Sequence, residues 1–151
     1  MNKVISRSLL ILVLLSATSF AKGLVKLDQK SVPQNSLAEV QSFVDEVNEL
    51  IPTEITSRFK YQVKLVFKKY KDNKGFSELP DNRCNSNVKL KYAHVSAFNK
   101  KKIYITPLFI NEIVKGESGS KQFPCGHKNY YKKAIATVLH EVRHLYDFKR
   151  I

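Results

Sequence analysis

From about residue 129 onward the apolar residues of this chain keep a single period. Ile135, Val138, Leu139, Val142, Leu145 and Tyr146 return every three or four positions and so line one side of an amphipathic helix. Such a stripe is stable only when buried against another element. The partner must come from segments with a different period. Tyr61, Val63, Leu65 and Phe67 alternate with Gln62, Lys64, Val66 and Lys68, which predicts a strand over residues 61–70 with one face inward. Two more strands are predicted over residues 89–98 and 102–106, around an Asn-Lys-Lys turn, with Pro107 closing the second.

A second amphipathic helix is expected earlier. Leu37, Val40, Val44, Val47 and Ile51 recur at helical spacing, Phe43 and Leu50 widen the stripe, and Pro52 stops it. Ser36 followed by Glu39 spells a capping box at its start. Residues 22–35 are polar, contain Pro33 and read as a leader. Residues 71–87 carry the turn formers and read as a long loop, residues 108–114 as a short helix, and residues 116–126 as another loop. The chain has no internal repeat and no second-domain linker. These elements predict one α+β domain over residues 36–151: an N-terminal amphipathic helix and a small twisted sheet packed on the C-terminal helix.

Residues 1–21 are set apart from that domain. Lys3 and Arg7 form a positive start, residues 9–15 (LLILVLL) are an unbroken apolar run, and Ser19-Phe20-Ala21 puts small residues at −3 and −1 of a cleavage site. The run is shorter than the ~20 residues of a membrane span. A signal peptide is expected, with a periplasmic or secreted product that has no transmembrane helix after cleavage. The chain carries 26 Lys and Arg against 13 Asp and Glu; without residues 1–21 it keeps 24 against 13, a net +11. That balance favours anionic partners such as envelope polymers. No recognition helix, aromatic RNA motif or glycine-rich phosphate loop accompanies the lysines, so no dedicated nucleic-acid site is expected. In an oxidising compartment Cys84 and Cys125 are read as a disulfide.

The chemistry lies on the last helix. His140-Glu141-Val142-Arg143-His144 is a His-Glu-x-x-His motif. Two histidines four residues apart project from one helix face and can bind one Zn2+ ion. Glu141, one position round, is suited to a different task. As general base it would take a proton from a zinc-activated water attacking a peptide carbonyl and pass it to the leaving amine. Serine-nucleophile and paired-carboxylate mechanisms find no support. Cys125 and His127 are only two residues apart in a loop, which gives no reason to pair them as a thiol nucleophile.

The stretch TVLHEVRHLYD resembles the active-site helix of the zincin metallopeptidases, and its His-x-x-Asp extension is similar to the lethal-factor-like and Pro-Pro-endopeptidase-like branch. The resemblance covers residues 137–147. It implies a zincin-like fold, in which the helix packs on a twisted sheet whose edge strand holds a peptide or protein substrate. By that analogy residues 102–106 are the substrate-side strand, His140 and His144 are metal ligands, and Glu141 is catalytic. In this family the third ligand normally lies downstream of the motif. Here Asp147 is the only carboxylate after His144, which leaves two readings open: Asp147 completes the site, or it supports a ligand histidine in a C-terminally incomplete copy. Arg143 departs from the uncharged residues usual at that place. His127 could also reach the metal, while His94, inside a strand, is read as packed or hydrogen-bonded. The expected activity is that of an exported zinc metallopeptidase. The alternative is a non-catalytic basic exported domain that binds anionic envelope components, or zinc without turnover.

Overall fold

The structure is a computed structural model that describes residues 23–81, 88–123 and 128–148. The expected signal peptide, Cys84, Cys125 and His127 lie outside the described residues. Four strands and four helices follow one another as β1 (Val25–Leu27), α1 (Leu37–Leu50), α2 (Thr53–Thr56), β2 (Val63–Phe67), β3 (Ala93–Ser96), β4 (Asn99–Ile105), α3 (Ile110–Gly119) and α4 (Tyr130–Asp147). The molecule is α+β, as the two periodicities predict.

The strands form one sheet in the order β1-β2-β4-β3. β1, β2 and β4 run parallel, and β3 is antiparallel to β4 at the edge. Alternation sorts the two faces. Val25, Leu27, Val63, Leu65, Phe67, Ile103 and Ile105 are buried beneath the helices, together with Phe43, Val44 and Val47 of α1 and Val138, Val142 and Leu145 of α4. Each fully buried aliphatic side chain contributes roughly 1.5–3 kcal/mol. Lys26, Lys64 and Lys102 alternate with those core residues and occupy the other face.

Several expectations need correction. Residues 22–35 are not merely a leader, because β1 lies within them and Leu24, Val25 and Leu27 are buried. Only three residues long, β1 is below the length at which alternation is recognisable. It is held from outside: Val25 N–H donates to Asn48 Oδ1 (2.8 Å) and Asn48 Nδ2 donates to the Val25 carbonyl (2.9 Å). Gly23 leaves room for this bridge, since a Cβ there would stand 2.4 Å from Asn48 Cγ. The capping box does not form. A 3-10 turn over Gln34–Ser36 runs straight into α1, and the Ser36 hydroxyl turns to Asn35 Oδ1 instead of the helix N–H groups.

The hairpin turn is Ala97-Phe98 rather than Asn-Lys-Lys. Asn99 already pairs with Ser96, and the register then shifts, with Val95 opposite Ile103. The expected strand over 89–98 is shortened at its start, because the Asn73 side chain takes both Lys91 main-chain groups. The predicted helix over 108–114 is a 3-10 turn at Pro107–Phe109 followed by α3, which continues to Gly119 through a kink at Gly116 (φ 70°). That positive φ is one glycine adopts without steric cost.

Replacing Asn48 by Ala removes two hydrogen bonds that fasten β1, and unfolding free energy should fall by about 1–2 kcal/mol. A urea denaturation midpoint unchanged in N48A would show that β1 is not held this way.

Candidate metal centre and groove

α4 begins at Asn129, whose side chain accepts the Lys132 N–H at 2.9 Å, a true N-cap. From that start the helical period assigns each residue a direction. Val138, Val142 and Leu145 face the core. His140 and His144 are exposed, and their Nε2 atoms stand 2.9 Å apart with the rings nearly perpendicular at 88°. Two nitrogens bound to one zinc at ordinary bond lengths and tetrahedral angle are about 3.3 Å apart. The pair therefore needs to open by only a few tenths of an ångström, and its donors fit two corners of a zinc site.

Glu141 lies one position round the helix. It is buried, with the Val95 N–H of the edge strand near enough to favour its charged form. The Thr106 N–H bonds the Tyr92 carbonyl at 2.8 Å, so by alternation Ala93 and Val95 aim their main-chain groups away from β4, toward the open edge. Burial pushes the Glu141 carboxyl above its ordinary range; His144, His140, the Val95 N–H and Lys91 oppose that push without cancelling it. A base with a raised pKa is suited to taking a proton near neutral pH.

An open groove of ≈ 540 Å³ runs between β3 and α4. Tyr92 and Ala93 line one wall, and Lys133, Thr137, His140 and Glu141 the other. The strand beside α4 is thus β3. Of residues 102–106, expected on the substrate side, all but Thr106 are in β4, whose two flanks pair with β2 and β3 and leave no free edge for a peptide.

Other expected residues divide. Asp147 gives its carboxylate to Arg143, whose Nε donates to Oδ2 at 3.0 Å, and not to the histidine pair. Among the described residues no group of three or more His, Cys, Asp or Glu gathers as a metal set. Arg143 is directed to Asp147 and to the Tyr146 ring, so it does not intrude between the histidines. His94 is packed and hydrogen-bonded as expected: it stacks on Tyr104 (centroids 4.9 Å) and its Nδ1 is 3.1 Å from the Tyr70 hydroxyl. Burial, then Lys91 and Lys68, hold this imidazole below its ordinary pKa, which keeps it neutral at pH 7.

Tyr70 is the residue that sequence reasoning missed. Burial first, then the Glu141 carboxylate and Tyr104, raise its pKa, so it remains a neutral phenol beside the base. The buried Asn73 ties down the turn that carries it, bonding Lys91 and the Thr106 hydroxyl (3.0 Å). Both residues sit in the lysine-rich stretch that follows β2, and only the folded chain brings Tyr70 within electrostatic reach of Glu141.

With an α+β domain and a His-Glu-x-x-His helix facing a sheet edge in view, comparison with known proteins assigns the family. The chain belongs to the family described as a domain of unknown function, DUF7844, whose pattern matches residues 24–151. The match begins at the first buried residue of the β1 segment. No curated protein and no solved structure matches the chain.

Because the folded pKa of Glu141 is raised, the unfolded chain ionises this group first as pH rises from about 4.5. Its contribution to stability is complete below that pH and is lost as pH climbs through the folded value. In chelator-treated protein, wild type should lose stability relative to E141Q across that window. Parallel thermal-melt profiles for the two proteins would contradict the raised pKa.

Proposed function

We propose that this chain is an exported zinc-dependent metallopeptidase with a zincin-like arrangement of helix and edge strand. The observation that carries the reading is the division of labour on one helix turn. His140 and His144 converge at 2.9 Å and are exposed, while Glu141 is buried toward the edge strand and shares the groove wall with His140. His140 and His144 would hold the zinc, which when bound supplies Lewis acidity and lowers the pKa of water toward neutrality. Glu141 holds and moves the proton, taking it from water and delivering it to the leaving amine. The outward-facing main-chain groups of Ala93 and Val95 suit pairing with an extended peptide, the way edge strands bind peptides elsewhere. Val95 N–H would then exchange the Glu141 carboxylate for substrate. Export to the periplasm or medium follows from the pattern of residues 1–21.

Zinc binding without turnover is the competing reading, and one observation favours it: Asp147 is engaged by Arg143, so the described residues supply two protein ligands and no third. The two readings separate at Glu141. With zinc added, wild type should cleave a mixed peptide library, and E141Q should retain zinc while losing about a hundredfold or more in rate. Zinc retained by both proteins with no cleavage by either would select the non-catalytic reading.

A further inference from the structure

One end of the sheet gathers a second set of residues, remote in role from the groove. The β3–β4 hairpin projects there, and Phe98 at its tip is 102% exposed, more than any other large apolar residue described. Phe98 is presented by a tied turn, not a loose one. Its N–H donates to Ser96 Oγ at 3.3 Å, and the Lys101 N–H donates to Asn99 Oδ1 at 3.3 Å. Beside it, Lys100 lies over the partly exposed Phe148 ring (5.6 Å) and Lys101 over the Tyr61 ring (5.2 Å).

The cationic surface continues across the sheet. Lys26 pairs in register with Lys64, and Lys64 with Lys102, on the face that the helices leave uncovered. Neighbouring strands are only ≈ 4.8 Å apart, and like charges directly opposite one another are unfavourable. Lys60, exposed, directly precedes the Tyr61 over which Lys101 lies. Among the described residues none of Lys26, Lys60, Lys64, Lys100, Lys101 or Lys102 has a carboxylate partner. A row of unneutralised lysines is relieved by a surface of negative charge, and a wholly exposed aromatic ring by an apolar phase. A bilayer containing anionic lipid offers both.

We propose that this corner docks on an anionic membrane surface, with Phe98 entering the headgroup–acyl boundary and the lysine row resting on lipid phosphates. Stable peripheral binding takes two such signals together, one apolar and one polybasic. A single-stranded nucleic acid is the less suitable partner, because it requires successive rings along a groove, whereas this ring stands alone at a turn. The proposal does not depend on the metallopeptidase reading.

The chain has no tryptophan, so F98W installs a unique fluorescent reporter at the tip. The full chain carrying F98W, with its fold checked by circular dichroism, is titrated with equimolar phosphatidylglycerol–phosphatidylcholine vesicles, with phosphatidylcholine vesicles, and with polyphosphate. A blue shift, quenched by brominated lipid, is expected with the anionic vesicles only. Charge reversal in K100E/K101E should weaken that partitioning on the order of tenfold or more. Attachment through residues 9–15 alone would leave the reporter in water. No shift on anionic vesicles, an equal shift on neutral vesicles, or an equal shift with polyphosphate would each overturn the proposal.

Discussion

Everything at the groove depends on how α4 is seated. Val138, Val142 and Leu145 are almost wholly buried in the seam between this helix and the rest of the core. Once that stripe is fixed, rotation about the helix axis is fixed too. His140 and His144 then point to solvent and Glu141 to the strand edge, because the helical period leaves them nowhere else to go. Two chemically different groups, a pair of exposed imidazoles and a buried carboxylate, are thus presented by five consecutive residues, without any specialised loop to hold them.

The edge strand gives that seating its chemical meaning. β3 runs against the direction of its neighbours and turns the main-chain groups of Ala93 and Val95 outward. Glu141 lies near one of them, the Val95 N–H, which favours its charged form and so couples the helix to the strand electrostatically. Beside the lysines Lys91 and Lys133, two nearby groups stay uncharged: Tyr70 is kept as a phenol and His94 as a neutral imidazole. In the proposed reading this leaves Glu141 as the proton carrier and the histidine pair free to be ligands.

Much of this was legible in the sequence where a period was long enough to count. Six apolar positions predicted α4, and the spacing of His140, Glu141 and His144 predicted which face each would take. α1 and β2 were readable for the same reason. What escaped was short or non-local. β1 has three residues and is fastened by Asn48, 23 positions away from Val25. The order of strands in a sheet is not encoded in alternation, so residues 102–106 could not be recognised as interior rather than edge. Tyr70 comes within electrostatic reach of Glu141 in a fold where Asn73 ties the following turn to Lys91 and Thr106. Asp147, which helical spacing puts near the histidines, is drawn off by Arg143 four residues back, an i,i+4 pairing that competes with any metal role.

The central claim is that His140 and His144 act together as ligands of one ion. X-ray absorption at the zinc edge, on protein loaded with one equivalent of Zn2+, tests it without requiring a substrate. Two imidazole shells at about 2.0–2.1 Å, absent from H140A/H144A, are the predicted result. Failure to retain zinc, or the same two-imidazole signal in the double variant, would contradict it.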